Sequence, residues 1–395
     1  MHYIGIDWAD SSHQIAVLTA EGQCISEFAI NHTNDDVSKF CRQLELLAPV
    51  QVSIERPDGL LVDQLLEAGI EVYVIPPRIA ARRRPRKSKD DRGDARLLAN
   101  LLRTGDDDCR RLERHGSTVE TLRQLLQAFE QLQRQQLRTS NQLRQIVKQY
   151  YPVLLSMFSD VATHISLAFL ETYPDPNLAQ RLTYTELEQF LKAHHYTHMR
   201  RLDTIYQHLR KSPLKARVWQ GFSVHAQALV PILRLLNQQI TALKREIRET
   251  FARHPEAGWW QSLPGSGELT SPRLLASIGD NRSVFPTAAV LQARAGTVPV
   301  TRRSGKSYAV RFRWACDKTL RKALTDFARN SIEHSGWARS YYFDQLERGH
   351  DKPRAMRGLA NRWAQIIWTI WSRRETYNEV LHVANRSRKG KAVVR

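Results

Sequence analysis

The chain has 395 residues, enough for two or three domains, and its 42% hydrophobic and 25% charged residues allow a sizeable core and exclude global disorder. Lys and Arg total 59 against 40 Asp and Glu, a formal charge of +19. A field of that sign gathers polyanions, which makes nucleic acid the expected partner. No run approaches the roughly 18 to 20 apolar residues of a membrane helix, so no membrane association is expected. The start, MHYIGIDWADSS, has no basic segment followed by an apolar run, and no secretory signal is expected. The four cysteines (Cys24, Cys41, Cys109, Cys316) include no C-x-x-C pair, which fits a reducing cytoplasm and offers no zinc site.

The first hundred residues read as α/β. Tyr3 to Ile6 is a short apolar strand ending at Asp7, His13 to Leu18 alternates up to the Glu21-Gly22 turn, and a third run spans Cys24 to Ile30. Short connections make these three an antiparallel meander. Val37, Phe40, Leu44 and Leu47 give Asn34 to Leu47 helical spacing, Gln51 to Ile54 returns to strand before Glu55, and Leu60 to Ala68 is a helix closed by Gly69. Glu71 to Ile75 is a further strand, stopped by Pro76-Pro77. Strands followed by alternating helix and strand predict a mixed sheet with helices packed on it.

From Ser117 the pattern turns helical. Ser117 and Glu120 have capping-box spacing, and the run to Tyr151 lacks Gly and Pro. A second heptad-patterned helix is predicted over Ala228 to His254, with Pro231 in its first turn, where proline is tolerated. Helices of this length suggest a coiled coil, within one chain or between chains, or an ordinary bundle core. Pro152 to Phe222, between them, carries no legible chemistry. After Pro255, Leu263-Pro264-Gly265-Ser266-Gly267 precedes a helical run, so backbone N–H groups near Gly265 and Gly267 could meet a phosphate; a plain turn would look the same. The predicted parts are 1–110, a spacer over 111–254, a third part over 255–385, and a basic tail over 386–395.

Four acids could do chemistry. Asp7 and Glu55 each end a strand, and Asp91 and Asp94 stand three apart at a helix start, on one face. Clustered carboxylates repel, and a group like this serves to hold hard cations, Mg2+ or Mn2+, whose pairing at about 3.5–4 Å suits phosphodiester cleavage. Taken alone, Asp91 and Asp94 read better as helix N-terminal charges, and Asp10, Asp58 and Asp90 are neighbouring substitutes. The basic run Arg82, Arg83, Arg84, Arg86, Lys87 and Lys89 directly precedes them, placed to bind a phosphate backbone. Ser304 lies in Arg302-Arg303-Ser304-Gly305-Lys306-Ser307, on a predicted flexible loop. It reads as a nucleophile beside cations or, by composition alone, as part of a phosphate-binding loop. Arg311 and Arg313 follow. Under either reading this region contacts nucleic acid. The scattered histidines show no metal or triad spacing.

In order along the chain, GIDWADSSHQIAV, SIERPDG and KSKDDRGDARLLA resemble the DEDD domain of an insertion-sequence transposase family. LPGSGELTSPRLLASIGDNRSVF, ARAGTVPVTRRSGKS and LRKAL resemble its C-terminal part. The family is that of the IS110 elements. The resemblance implies an α/β RuvC-like (RNase H-like) N-terminal domain, a long helical coiled-coil spacer and a mainly α C-terminal transposase domain. Residue by residue, Asp7, Glu55, Asp91 and Asp94 fall on the acidic tetrad that binds Mg2+, and Ser304 on the serine-glycine motif, as nucleophile. It further implies recombination of donor and target DNA guided by a structured non-coding bridge RNA, in dimers that pair into a tetramer. Arg56-Pro57-Asp58 departs from the small residues and Thr-Gly usual after the second acid, and the glycine usual before the Leu-Arg pair is absent. Two other functions fit the residues: a RuvC-like nuclease of branched DNA, which needs the acids but not Ser304, and a non-enzymatic nucleic-acid-binding protein, which needs neither.

Overall fold

The computed structural model describes residues 1–84, 90–105, 109–211, 218–304 and 307–384, and the chain divides into two compact units, Met1–Arg114 and His115–Arg395. The first unit is a six-stranded mixed sheet in the order β3-β2-β1-β4-β5-β6. Its strands are β1 (His2–Asp7), β2 (Ser12–Leu18), β3 (Cys24–Asn31), β4 (Val50–Ile54), β5 (Glu71–Val74) and β6 (Arg110–Arg111). Its helices are α1 (Asn34–Leu47), α2 (Leu60–Glu67), α3 (Pro77–Arg83) and α4 (Asp91–Arg103).

The antiparallel meander β1-β2-β3 forms as the alternation predicts, while β4 and β5 join β1 in parallel through the crossover helices α1 and α2. Thr33 caps α1 by accepting from the Asp36 N–H, and Val37, Phe40, Cys41 and Leu44 turn its apolar stripe inward. They meet Ile4, Ile6, Val52, Ile54 and Val72 in one core.

On its other contact β1 is covered by α4, and Gly5 is the reason the two can meet. A Cβ on Gly5 would stand 1.9 Å from the Ala95 carbonyl oxygen and 2.6 Å from the Ala99 nitrogen, both backbone. Gly5→Val therefore has to push α4 off the strand. It is expected to cost more than about 3 kcal/mol of stability in urea unfolding, whereas a merely tight core would absorb it for less.

Among the described residues the second unit is helical apart from one hairpin. Its first elements are α5 (Ser117–Tyr150), α6 (Pro152–Met157), α7 (His164–Thr172), α8 (Pro176–Ala179), α9 (Tyr184–Ala193), α10 (Leu202–Arg210) and α11 (Gln220–Ala252). There follow α12 (Ala257–Gln261), α13 (Thr270–Ile278), α14 (Ala288–Ala295), the hairpin β7 (Val300–Ser304) and β8 (Ser307–Arg311), then α15 (Lys318–His334), α16 (Gly336–Glu347) and α17 (Lys352–Arg373). The long α5 and α11 lie antiparallel within the one chain: Gln136 bonds Asn237 at 3.0 Å and Gln142 contacts His225 at 3.2 Å. One core gathers Leu143, Val147 and Tyr150 with Ala226, Val230 and Leu233 and the short helices between. The other gathers Leu122, Phe129, Ile247 and Phe251 with the buried tryptophans Trp260, Trp363 and Trp371 of the last third.

Two local expectations are corrected. First, α11 begins at Gln220, so Pro231 lies well inside the helix rather than in its first turn. Proline there loses one helical hydrogen bond and costs about 3 kcal/mol. Burial of Ala226, Leu229, Val230 and Leu233 on both sides of it outweighs that loss. Second, Ser117 and Glu120 form no capping box. The N-cap is Gly116, whose N–H donates to both carboxylate oxygens of Asp280 (3.2 and 3.0 Å), while Glu120 pairs with Arg123.

Asp280 also accepts from His115 at 3.2 Å, and burial lowers the His115 pKa to about 4. Asp280→Ala is expected to remove about 1–2 kcal/mol by uncapping α5, read as a lowered urea midpoint with unchanged slope.

Candidate active site and nucleic-acid interface

The acidic residues are positioned by strand register. β1 and β4 run parallel with Ile6 beside Ile54, so Asp7 and Glu55, one residue further along each, leave adjacent strands at the same end of the sheet. Both are half-buried. The direction of α4 brings its start to that end. Its last residue, Arg103, donates to the Ala20 carbonyl at 3.2 Å, in the turn that follows Leu18, and Leu18 pairs with Tyr3 near the beginning of β1. With Ala95 and Ala99 over Gly5, α4 is antiparallel to β1, and Asp91 and Asp94 lie toward the Asp7 end. A helix N-terminus there adds partial positive charge where carboxylates gather.

The four acids differ in surroundings. Asp91 is exposed in the first turn of α4, whose N-cap, Asp90, makes no side-chain capping bond. Asp94 is buried, and Arg84 grips it with two bonds, Nε to Oδ1 at 2.7 Å and Nη2 to Oδ2 at 2.6 Å. A buried carboxylate requires such a partner. Among the described residues, no three or more His, Cys, Asp or Glu are grouped so as to hold a metal ion. The donor set itself, carboxylate oxygens at one end of the two central strands, has the hard-ligand chemistry that Mg2+ or Mn2+ requires. Arg84 now supplies the positive charge for Asp94 and would have to release it for Asp94 to become a ligand. Arg84, read from sequence as a phosphate contact, thus has its guanidinium fork occupied. Arg82 and Arg83 are exposed at the end of α3. Arg86, Lys87 and Lys89 lie outside the described residues.

Beside Asp7 the structure assembles a cluster with no signal in the sequence. Arg56 stacks over the Trp8 ring at 4.3 Å, and Trp8 stacks on His13. His13 Nε2 meets His32 Nδ1 at 2.8 Å. Burial, with His32 close by, lowers the His13 pKa to about 4. The fold therefore holds His13 neutral: its contribution to stability is complete above about pH 6.5 and is lost as pH falls toward 4. Thermal unfolding between about pH 7 and 4.5 should show that loss, and His13→Gln should shrink the slope. A variant with the wild-type slope would remove His13 from the account. Residues 8, 13, 32 and 56 share no short spacing, and the pairing of β2 with β1 and β3 and of β1 with β4 brings them together.

The serine region is a hairpin. Ser304, expected on a flexible loop, is the exposed last residue of β7 and pairs with Ser307, while Gly305 and Lys306 lie outside the described residues. The register puts Val300 opposite Arg311, so Ser304 and Arg311 belong to one face by the two-residue period, while Arg303 belongs with Tyr308 on the other. Arg302 is opposite Ala309 in the backbone. Arg303 and Arg311 are exposed, and so are Tyr308, Val310 and Trp314. Arg313 is half-buried, and its carbonyl accepts from Arg321, whose guanidinium stacks over Phe312. Cations interleaved with exposed aromatics suit a nucleic-acid backbone and its bases.

The Gly265 turn has a structural explanation of its own. Gly265 has φ +81°, and a Cβ there would meet the Asn330 and Ser331 backbone at 2.8–2.9 Å. Glycine is required for the turn to pack on α15. The Gly267 carbonyl accepts from Thr270 and Ser271 at the start of α13.

A mixed sheet with carboxylates at one strand end, followed by a basic serine hairpin in a helical unit, is compatible with an enzyme acting on nucleic-acid phosphodiesters. Family comparisons narrow the class. Residues 4–152 match the DEDD transposase model of IS110 elements, and residues 260–343 match the transposase model of the IS116/IS110/IS902 family. The chain is 30% identical over 399 residues to a Streptomyces coelicolor mini-circle protein described as a transposase for IS117, covering 95% of each chain. It is 25% identical over 382 residues to the 43.6 kDa protein of the S. coelicolor insertion element IS110, covering 93% of each. Over 149 residues it is 34% identical to the transposase for element IS1111A of Coxiella burnetii, 36% of this chain and 41% of that one. The chain belongs to the IS110-family transposases, which are DNA-cleaving and strand-transferring enzymes. No helix among the described residues is long and apolar enough to cross a membrane.

Proposed function

We propose that this transposase is an RNA-guided DNA recombinase in which a RuvC-like N-terminal domain holds Mg2+ on Asp7, Glu55, Asp91 and Asp94, and Ser304 attacks a DNA phosphodiester. The observation that carries the reading is the parallel pairing of β1 with β4, which sends two carboxylates to one sheet end while the acidic start of α4 runs toward the same end. When bound, the metal would neutralise the carboxylates and polarise the phosphate oxygens.

The protein's own groups do the rest. Asp7 and Glu55 hold charge where the scissile phosphate would lie. Arg303 and Arg311, with Arg302 and Lys306, would bind the phosphates flanking Ser304. The Ser304 hydroxyl supplies the nucleophile: its oxygen bonds to phosphorus, its proton passes to a base at the acidic end, and the neighbouring DNA fragment leaves with a free 3′ hydroxyl. The protein would then remain joined to the other fragment's 5′ phosphate.

A structured RNA would specify donor and target by base pairing, consistent with a +19 chain whose cations are spread over both units. Dimers assembling to a tetramer would bring the acids of one protomer to the serine of another. Leu137, Ile232 and Leu235 stay exposed on the α5 and α11 pair and are available to such an interface. The cytoplasm, in contact with the nucleoid, is the proposed location.

The test is a recombination assay with candidate RNA, donor and target DNA, and Mg2+. Product should require all four components. Cleavage of branched DNA without RNA, undiminished by Ser304→Ala, would favour the hydrolytic nuclease instead.

A further inference from the structure

The segments between α5 and α11, silent in the sequence, line an open pocket of about 430 Å3. That volume lies within the roughly 300–1,000 Å3 of small-ligand sites. Its lining mixes aromatic and basic side chains. Phe158, Ile165 and Tyr196 are the apolar members, with Phe158 and Tyr196 in edge-to-face contact at 6.2 Å. His164, His194, His195, His198 and Arg201 join them from the two segments 158–165 and 194–201, His198 in edge contact with Tyr196 at 5.9 Å. Ser159, Thr163 and Thr197 add hydroxyls, and Thr163 is the N-cap of α7, where it makes no side-chain capping bond.

One of these histidines occupies an unfavourable backbone conformation. After α9 the Tyr196 N–H bonds the Leu191 carbonyl and the His195 N–H the Lys192 carbonyl, a Schellman ending. The residue that must turn left-handed in that motif is commonly glycine, yet here it is His195, with φ +52°. A side chain there costs about 1 kcal/mol relative to glycine, as it does at Arg374, which ends α17 in the same way with φ +58°. The imidazole is held at the pocket rim at that cost.

Among the described residues no three of these histidines are placed to share a metal ion. The charge balance instead suits an anion. Burial, then His164, Arg234 and His195, lower the His194 pKa, so this imidazole is held neutral and offers an N–H rather than a charge. Glu171, the acid beside it, is ion-paired to Arg234 at 2.5 Å. Asp160, the nearest acid on the loop before α7, accepts from the Ala162 N–H. Among the described residues Arg201 makes no ion pair with an acid, and it is exposed.

We propose that this pocket binds one nucleotide, with its phosphate among the imidazoles and Arg201 and its base against Phe158 and Tyr196. The two sources of that ligand are a free mononucleotide and an unpaired nucleotide of a strand held by the enzyme. The site shares no residue with the acids or Ser304, and its test uses no DNA cleavage.

The full-length protein is irradiated with 4-thiouridine 5′-monophosphate, with 4-thiouridine lacking the phosphate, and with a single strand of about eight nucleotides carrying one 4-thiouridine. Adducts are mapped by mass spectrometry. The expected result is an adduct within 158–165 or 194–201 from a phosphorylated probe and little from the nucleoside. Its yield should fall about tenfold in Arg201→Ala and in His198→Ala with the melting temperature unchanged. A strand that labels far better than the mononucleotide identifies a strand nucleotide, and the reverse identifies a free one. No adduct in these segments from either phosphorylated probe, equal labelling by the nucleoside, or full labelling in Arg201→Ala overturns the proposal.

Discussion

Asp7→Asn is expected to reduce strand cleavage at least about 1,000-fold while leaving the fold intact, and Glu55→Gln to do the same. Each change keeps the shape of the side chain and removes one charge. If these carboxylates serve a metal, their loss is felt in cleavage and in the response to the ion rather than in folding. The melting temperature of either variant without metal should stay close to the wild-type value. Magnesium should raise the wild-type melting temperature and leave that of Asp7→Asn almost unmoved. Asp94→Asn should behave differently. It leaves Arg84 without its carboxylate and should lower stability by about 1–2 kcal/mol, less than for a fully buried pair because Arg84 is partly exposed. Equal stability losses in all three variants would mean the acids are structural.

The second large effect is that of Ser304. Ser304→Ala should leave DNA binding nearly unchanged, since the arginines around it remain. It should lower strand exchange by at least about 1,000-fold, the scale on which loss of a nucleophile acts. The position of Ser304 at the exposed end of β7 makes this separation of binding from chemistry testable, because no core residue depends on its hydroxyl. Ser304→Cys keeps a nucleophile in place and should retain a measurable fraction of the adduct-forming activity.

Local pattern made much of the first unit legible. Alternation in His13–Leu18 and the three-four spacing of Val37, Phe40 and Leu44 are short-range signals, and β2 and α1 form where they fall. The helical start at Asp91 was likewise legible, and so were the ends of β1 and β4, where Asp7 and Glu55 follow. Their approach to one sheet end depends on parallel register, a non-local property that no spacing in the chain encodes. The grip of Arg84 on Asp94 was hidden for the same reason. A run of six cations looks alike residue by residue, and only the fold singles out the one beside a buried carboxylate.

In the second unit, tertiary packing overrode local rules. Pro231 looks like a helix start, but burial on both sides carries α11 through it. Ser117 and Glu120 look like a capping box, but Asp280, more than 160 residues away, reaches the helix end first. The histidine pocket joins residues 158–165 to 194–201 and could not be read from sequence, where His194, His195 and His198 belong to a loop without a partner.

The most direct test of the central claim is a denaturing gel of protein incubated with candidate RNA, Mg2+ and end-labelled donor and target DNA. DNA covalently joined to protein in the wild type, and absent in both Ser304→Ala and Asp7→Asn, is the predicted result. Free cleaved ends that persist in Ser304→Ala and vanish in Asp7→Asn would contradict it, leaving a metal-dependent hydrolase in which the serine only touches phosphate.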